Sequence, residues 1–177
     1  VYAGQGSYAL YDYDRAEYQV SYNVAEVRPI ASITKLITAI TILRSGAELK
    51  EKVRVKGKSS GHFPNGMLVS RDDLMQAMMI SSDNRAAETL ANTYPGGFNR
   101  FIEDANGYLK GRGLLFTSIE EPTGLSRNNV STATELISLL GAIKDNVALR
   151  EYSDNKTAEL LIPKGKKYIH IKLHNTN

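Results

Sequence analysis

Apolar and polar residues alternate along residues 8–23, where Tyr18, Val20 and Tyr22 are set against Glu17, Gln19, Ser21 and Asn23. A period of two belongs to a half-buried strand, and Asp14-Arg15-Ala16 interrupts it as a turn would, so a β-hairpin is predicted here. After Pro29 the period changes. Ile33, Leu36, Ile37, Ile40 and Leu43 recur at helical spacing, and Gly46 is placed to end the helix. Its apolar residues cover most faces, which predicts burial.

Ser70, with Asp73 three residues later, precedes Leu74, Ala77 and Met78 and reads as the N-cap of a second helix. Thr132 and Glu135 form a capping box ahead of Leu136, Ile137 and Leu140. Apolar spacing predicts further helices over residues 84–92 and 98–109, so that residues 70–144 are mainly helical. Ile169, Ile171 and Leu173 alternate with Tyr168, His170 and Lys172, a closing strand. Strands at both ends of a helical middle argue for an α+β fold, expected as one domain over residues 1–177.

Composition refines this picture. A 177-residue chain with 42% hydrophobic and 23% charged residues can bury a core. Its net charge of +3 is dispersed, and the one basic cluster, Lys164, Lys166 and Lys167, reads as a solvated loop; no nucleic-acid partner is expected. No run approaches the roughly 18 apolar residues of a membrane span. Residues 1–7 lack the pattern of a signal peptide, so the chain reads as a mature, soluble form. The absence of cysteine rules out disulfides and thiol catalysis. His62, His170 and His174 share no close metal-ligand spacing, and neither metal nor cofactor is expected. The ten tyrosines read as sheet packing rather than a glycan platform.

The candidate chemistry starts at Ser32-Ile33-Thr34-Lys35. Residues three apart share a helix face, which lets the Lys35 amine approach the Ser32 hydroxyl, and a desolvated lysine can serve as its base. The N–H groups of a helix start can also steady an oxyanion. Such a string arises about once by chance in a chain of this composition, and Ser153 with Lys156 makes a second. Ser82-Asp83-Asn84 is rarer, although Ser153-Asp154-Asn155 repeats it. Context separates the two sets, because Ser32 opens an apolar helix whereas Ser153 lies in the polar run 151–157 and reads as surface.

Taken together, Ala31-Ser32-Ile33-Thr34-Lys35-Leu36, Ser81-Ser82-Asp83-Asn84 with Ala86-Ala87, and Glu121-Pro122-Thr123-Gly124-Leu125-Ser126 resemble the low-molecular-mass penicillin-binding proteins. The D-alanyl-D-alanine endopeptidase branch is more similar than the carboxypeptidase branch. The resemblance implies a β-lactamase/penicillin-binding-protein-like transpeptidase fold, an antiparallel sheet with a helical subdomain, in a periplasmic or extracytoplasmic enzyme. It implies peptidoglycan stem peptides and crosslinks as substrates and β-lactam antibiotics as inhibitors. Ser32 would attack a D-alanyl carbonyl, Lys35 take its proton and Ser82 relay it toward the leaving amine. Asn84 would hold Lys35 and the substrate amide, while Asp83 braces the backbone. Glu121-Pro122 imitates the deacylation motif of class A β-lactamases, but Thr123-Gly124-Leu125 continues as the peptidases do, which implies a structural loop and slow loss of a penicilloyl group.

The third signature of that family, Lys-Thr-Gly, is absent; Lys156-Thr157-Ala158 comes nearest and lacks the glycine. By the resemblance its strand would follow Asn175-Thr176-Asn177, so the C-terminal strands are expected from a complementary C-terminal segment or a second chain. Three readings stay open at this point: a serine D,D-peptidase, a β-lactamase-type hydrolase, and a non-catalytic peptidoglycan-binding fragment.

Overall fold

A computed structural model describes residues 6–165 and 167–175. The predicted hairpin is present, with β1 (Tyr8–Asp12) antiparallel to β2 (Glu17–Tyr22) and a bulge between Leu10 and Tyr11. Asp12 Oδ1 accepts from the N–H groups of Asp14 and Arg15, so the turn forms where its residues predicted it. Its burial differs from expectation. Every residue of β2 is exposed, and the alternation sorts no inner face. The tyrosines pack on one another instead: Tyr8 stacks on Tyr22 with centroids 5.5 Å apart, and Tyr11 meets Tyr13 and Tyr18 edge-on.

The short strand β3 (Arg28–Pro29) leads into a 3₁₀ turn, Ala31–Ile33, and then α1 (Thr34–Arg44). Gly46 follows with φ +71°, as expected of a residue that stops a helix. Ile37, Ala39, Ile40 and Ile42 bury the apolar side of α1. Yet Thr34, Lys35, Thr38 and Thr41 are buried as well, so one side of this helix is a buried polar face.

Strands β4 (Lys52–Arg54) and β5 (Leu68–Ser70) form a second ladder that the residue pattern does not announce. Ser70 Oγ caps α2 (Arg71–Ser81) by accepting from Asp73 N–H at 3.1 Å, as its spacing predicts. α3 (Asn84–Asn92) and α4 (Gly97–Gly111) follow, and their Ala87, Leu90, Phe101 and Ala105 are fully buried. Residues 112–129 are not helical. They form a long loop that ends in β6 (Val130–Ser131), the partner of β3.

Thr132 caps α5 (Ala133–Ile143) through Glu135 N–H, but the Glu135 carboxylate does not complete the box. It turns inward and accepts from Phe116 N–H and the Thr117 hydroxyl, closing the far end of the long loop. The hairpin is moored on the same helix, where Tyr13 Oη donates to Ile137 O at 2.7 Å.

Two further elements lie where the sequence reads as polar surface or irregular chain: α6 (Val147–Ser153) and β7 (Thr157–Lys164). β7 pairs along its whole length with β8 (Lys167–His174), the predicted closing strand. Leu160, Ile162, Ile171 and Leu173 are buried, with β7 and β8 against α2. The basic cluster falls at the tight turn between these strands, with Lys167 exposed and Lys166 outside the described residues, as are residues 1–5, 176 and 177. The described strands thus make four two-stranded antiparallel ladders rather than one continuous sheet. Among the described residues no helix is long and apolar enough to cross a membrane.

Candidate active site

Ser32 lies in the exposed 3₁₀ turn, and Lys35 lies one turn further on, inside α1. The three-residue spacing has the effect it predicts: Lys35 Nζ donates to Ser32 Oγ at 3.2 Å. A second donor reaches the same oxygen from another part of the chain, Ser82 Oγ at 3.1 Å. Ser82 is the left-handed residue (φ +54°) that ends α2, a conformation that costs energy in a residue with a side chain. Its cost is met by the turn it builds, in which Asp83 immediately starts the next helix.

Asp83 braces that turn, as the resemblance implies. Its Oδ1 caps α3 by accepting from Ala86 N–H at 2.8 Å, and its Oδ2 accepts from His62 N–H at 2.6 Å. The same oxygen faces His62 Nδ1 at 2.8 Å, a pairing across 21 residues that no sequence spacing indicated. Asn84 opens α3 beside it. The structure does not join Asn84 to Lys35: among the described residues the Lys35 ammonium bonds to Ser32 Oγ and to Thr123 O, at 2.7 Å. The carbonyl of Thr123 occupies the partner's place because the 121–129 loop lies directly over the polar face of α1.

That loop is organised by Glu121. Its carboxylate accepts from Thr123 N–H (2.7 Å), Thr123 Oγ1 (2.6 Å), Gly124 N–H (2.6 Å) and Asn129 Nδ2 (2.8 Å). Asn129, fully buried, also donates to Thr34 Oγ1 at 3.1 Å, and Thr38 Oγ1 donates to Pro122 O at 2.8 Å. Thus Thr34, Lys35 and Thr38 all bond to one loop, which explains the polar face on an otherwise apolar helix. Asn129 escaped the sequence reading; its only signal is a buried amide side chain, visible once folded.

Lys35 is almost wholly buried, and burial lowers its pKa from 10.5, an effect opposed by the negative charges of Glu121 and Asp83. A lysine so placed gives up its proton more readily than one in water. Beside Ser32 opens a cavity of about 530 Å³, walled by Leu36, Met78, Met79, Leu136 and Leu140 and reaching Lys35 and Ser82. The duplicate strings at Ser153 stand apart from this cluster, since Ser153 and Lys156 are exposed and, among the described residues, Ser153 Oγ bonds Arg150 O and Asp154 in its own neighbourhood. His170 and His174 are exposed on β8.

The model of the D-alanyl-D-alanine carboxypeptidase family, peptidase family S11, matches residues 3–177. The chain belongs to this family. Within it, the D-alanyl-D-alanine endopeptidase of Escherichia coli is 42% identical over 138 residues, which is 73% of this chain and 44% of that protein. The Pseudomonas aeruginosa D-alanyl-D-alanine endopeptidase is 39% identical, over 84% of this chain and 50% of that protein. An Escherichia coli D-alanyl-D-alanine carboxypeptidase is 29% identical over 78% of this S11 chain. The chain therefore spans about half the length of the curated endopeptidases it matches.

Solved structures agree on the fold. The DD-transpeptidase of Streptomyces K15 superposes with a TM-score of 0.86 at 23% identity, covering 97% of this chain and 73% of that one. Penicillin-binding protein D2 of Listeria monocytogenes, solved in an ampicillin-bound form, gives 0.80 at 26% identity over 97% of this chain and 72% of that one. The S11 chain has the α+β DD-transpeptidase fold that its motifs imply.

Proposed function

We propose that this chain carries the nucleophile centre of a serine D,D-peptidase that cleaves D-alanyl bonds of peptidoglycan, with crosslinks favoured over terminal D-alanine. One observation carries the reading: Ser32 Oγ receives both Lys35 Nζ and Ser82 Oγ, at 3.2 and 3.1 Å, in a solvent-open cavity. The greater identity to relatives named endopeptidases supports the preference for crosslinks.

In the reaction Ser32 Oγ forms a bond to the D-alanyl carbonyl carbon while its proton passes to neutral Lys35. The proton then moves through Ser82 to the leaving amine as the C–N bond breaks, leaving an acyl group on Ser32. Water attacks that ester, Lys35 taking its proton, and Ser32 is restored. Asn84, whose side chain has no partner among the described residues, offers donor and acceptor to the substrate amide. The N–H of Ser32 supplies one oxyanion donor. A Lys-Thr-Gly strand, on a further segment or a second chain, would supply the other and cover the apolar wall at Leu36 and Leu140. A β-lactam would acylate the same oxygen.

Glu121 argues against the β-lactamase reading, because its carboxylate oxygens are occupied by the loop they hold. The setting proposed is the periplasm or an equivalent extracytoplasmic space, where peptidoglycan lies. Incubating the full-length protein with a fluorescent penicillin and mapping the labelled peptide tests the reading. Label on Ser32 is expected; label elsewhere, or none, overturns it.

A further inference from the structure

A second cavity, of about 310 Å³, meets the first at Ser82 and is lined also by Ser60, His62, Asp83 and Asn84. The segment that forms its outer wall is fastened to α3 along its length. Ser59 N–H and Oγ both donate to Glu88, Arg85 donates to Ser59 O and Phe63 O, and Lys56 N–H donates to Thr89 Oγ1. Glycine permits this approach, because a Cβ at Gly57 would collide with Glu88 and one at Gly61 with Asp83. His62 is therefore presented by a clamped element rather than a free loop, as a precise binding contact requires.

The charge of this cavity is one-sided. Among the described residues that line it, Asp83 alone is a carboxylate or a fixed cation, its side chain is wholly buried, and no lysine or arginine forms an ion pair with it. The cations nearby are placed elsewhere. Arg85 is committed to the carbonyls of Ser59 and Phe63, Lys35 lines the first cavity, and Lys56 and Lys58 line a separate one with Phe98 and Glu121.

The imidazole brings that negative charge to the surface. Asp83 can only accept, so Nδ1 carries the proton that faces it, and the neutral ring keeps a free lone pair at Nε2. A carboxylate behind one ring nitrogen makes the other a better acceptor. Nε2 has no partner among the described residues, and His62 is exposed. The cavity thus offers an acceptor backed by a carboxylate, which suits a positively charged donor. Asn84 lines the same cavity, so a peptide whose amide it holds runs past His62.

We propose that this cavity is a substrate subsite for a side-chain ammonium of the stem peptide, in which His62 Nε2 accepts one of the ammonium N–H bonds and Asp83, behind the ring, stabilises its charge. The assignment rests on the D,D-peptidase reading and adds to it a residue, His62, that selects peptides bearing a free amine.

The test uses the full-length protein at about pH 8, above the range in which histidine ordinarily titrates. Two peptide substrates are compared that differ at one side chain only, which ends in an ammonium or in a methyl group of similar size. A charge-assisted hydrogen bond predicts that wild type prefers the ammonium by about 10- to 100-fold in kcat/KM, through KM. His62→Asn keeps a donor for Asp83 at the Nδ1 position and has no atom at Nε2; it is expected to lose most of the preference. His62→Lys places beside Asp83 a cation of its own and is expected to favour the methyl peptide. Because each preference is a ratio measured on one variant, a general loss of activity cancels. A wild-type preference below about 5-fold, less than one charge-assisted bond supplies, overturns the subsite, as does a preference that either variant retains. Penicillin labelling of wild-type Ser32, run alongside, separates the two ideas: its absence overturns the peptidase reading and the subsite with it, whereas labelling without an ammonium preference overturns the subsite alone.

Discussion

Gly124 crosses the backbone of Ala31 so closely that a Cβ at position 124 would fall 1.9 Å from the Ala31 carbonyl oxygen. Both residues are left-handed, with φ of +87° and +46°. The loop that delivers Thr123 O to Lys35 can lie on the turn that holds Ser32 only because residue 124 has no side chain. Gly124→Ala should therefore lose about 2–5 kcal/mol, adding roughly 1–2 for the left-handed backbone to about 1–3 for overpacking. Urea denaturation measures the loss, and penicillin acylation should fall with it. Stability within about 0.5 kcal/mol of wild type, the range of an ordinary surface change, would show that the contact is not as close as described.

Lys35 sets the pH dependence. Burial lowers its pKa below 10.5, so the neutral amine that can accept the Ser32 proton appears at lower pH than for a lysine in water. The acylation rate should rise with pH, with a midpoint below 10.5. Lys35→Arg, whose guanidinium stays charged, should remove the rise and slow acylation by about 10²–10⁴-fold. Stability follows the same sign. Between the lowered pKa and 10.5 the unfolded chain binds a proton that the folded chain does not, so this group makes the fold more stable as pH climbs through that window. A rate independent of pH across it would place the base elsewhere.

The two serine strings give opposite outcomes. Ser32→Ala should abolish labelling by a fluorescent penicillin. Ser153→Ala should leave it at the wild-type level, because Ser153 ends α6 in an exposed position, bonded to Arg150 O. Equal labelling of both variants would remove Ser32 as the nucleophile.

Glu121 distinguishes a structural loop from a deacylation device. Removing its carboxylate leaves the N–H groups of Thr123 and Gly124 and the Asn129 amide without their acceptor. Glu121→Ala should thus lower the melting temperature and slow acylation. The rate at which a penicilloyl group already on Ser32 is lost should change little. A selective slowing of that loss, with stability and acylation intact, would mean that Glu121 activates water.

Helical spacing and capping are local properties, which is why much of this protein is legible in its residues. Lys35 meets Ser32 because three residues span one turn, and Ser70 caps α2 because its hydroxyl lies beside the third N–H. Thr132 shows the limit of the same logic, since its half of the capping box forms while Glu135 is drawn away to Phe116 and Thr117. Likewise the alternation in β2 correctly marks a strand, but which side is buried depends on what packs against it, and both sides are exposed. Strand β7 is hidden because its status comes from pairing with β8. Tertiary structure alone decided the surroundings of the nucleophile. Ser82 reaches Ser32 across 50 residues, Thr123 reaches Lys35 across 88 and Asn129 reaches Thr34 across 95. His62 finds Asp83 only because Gly61 lets its segment touch α3. Local sequence can specify which groups lie one helical turn apart; the carbonyl that holds the lysine, the depth of burial that lowers its pKa and the ring beside the Ser82 turn exist only once distant segments pack.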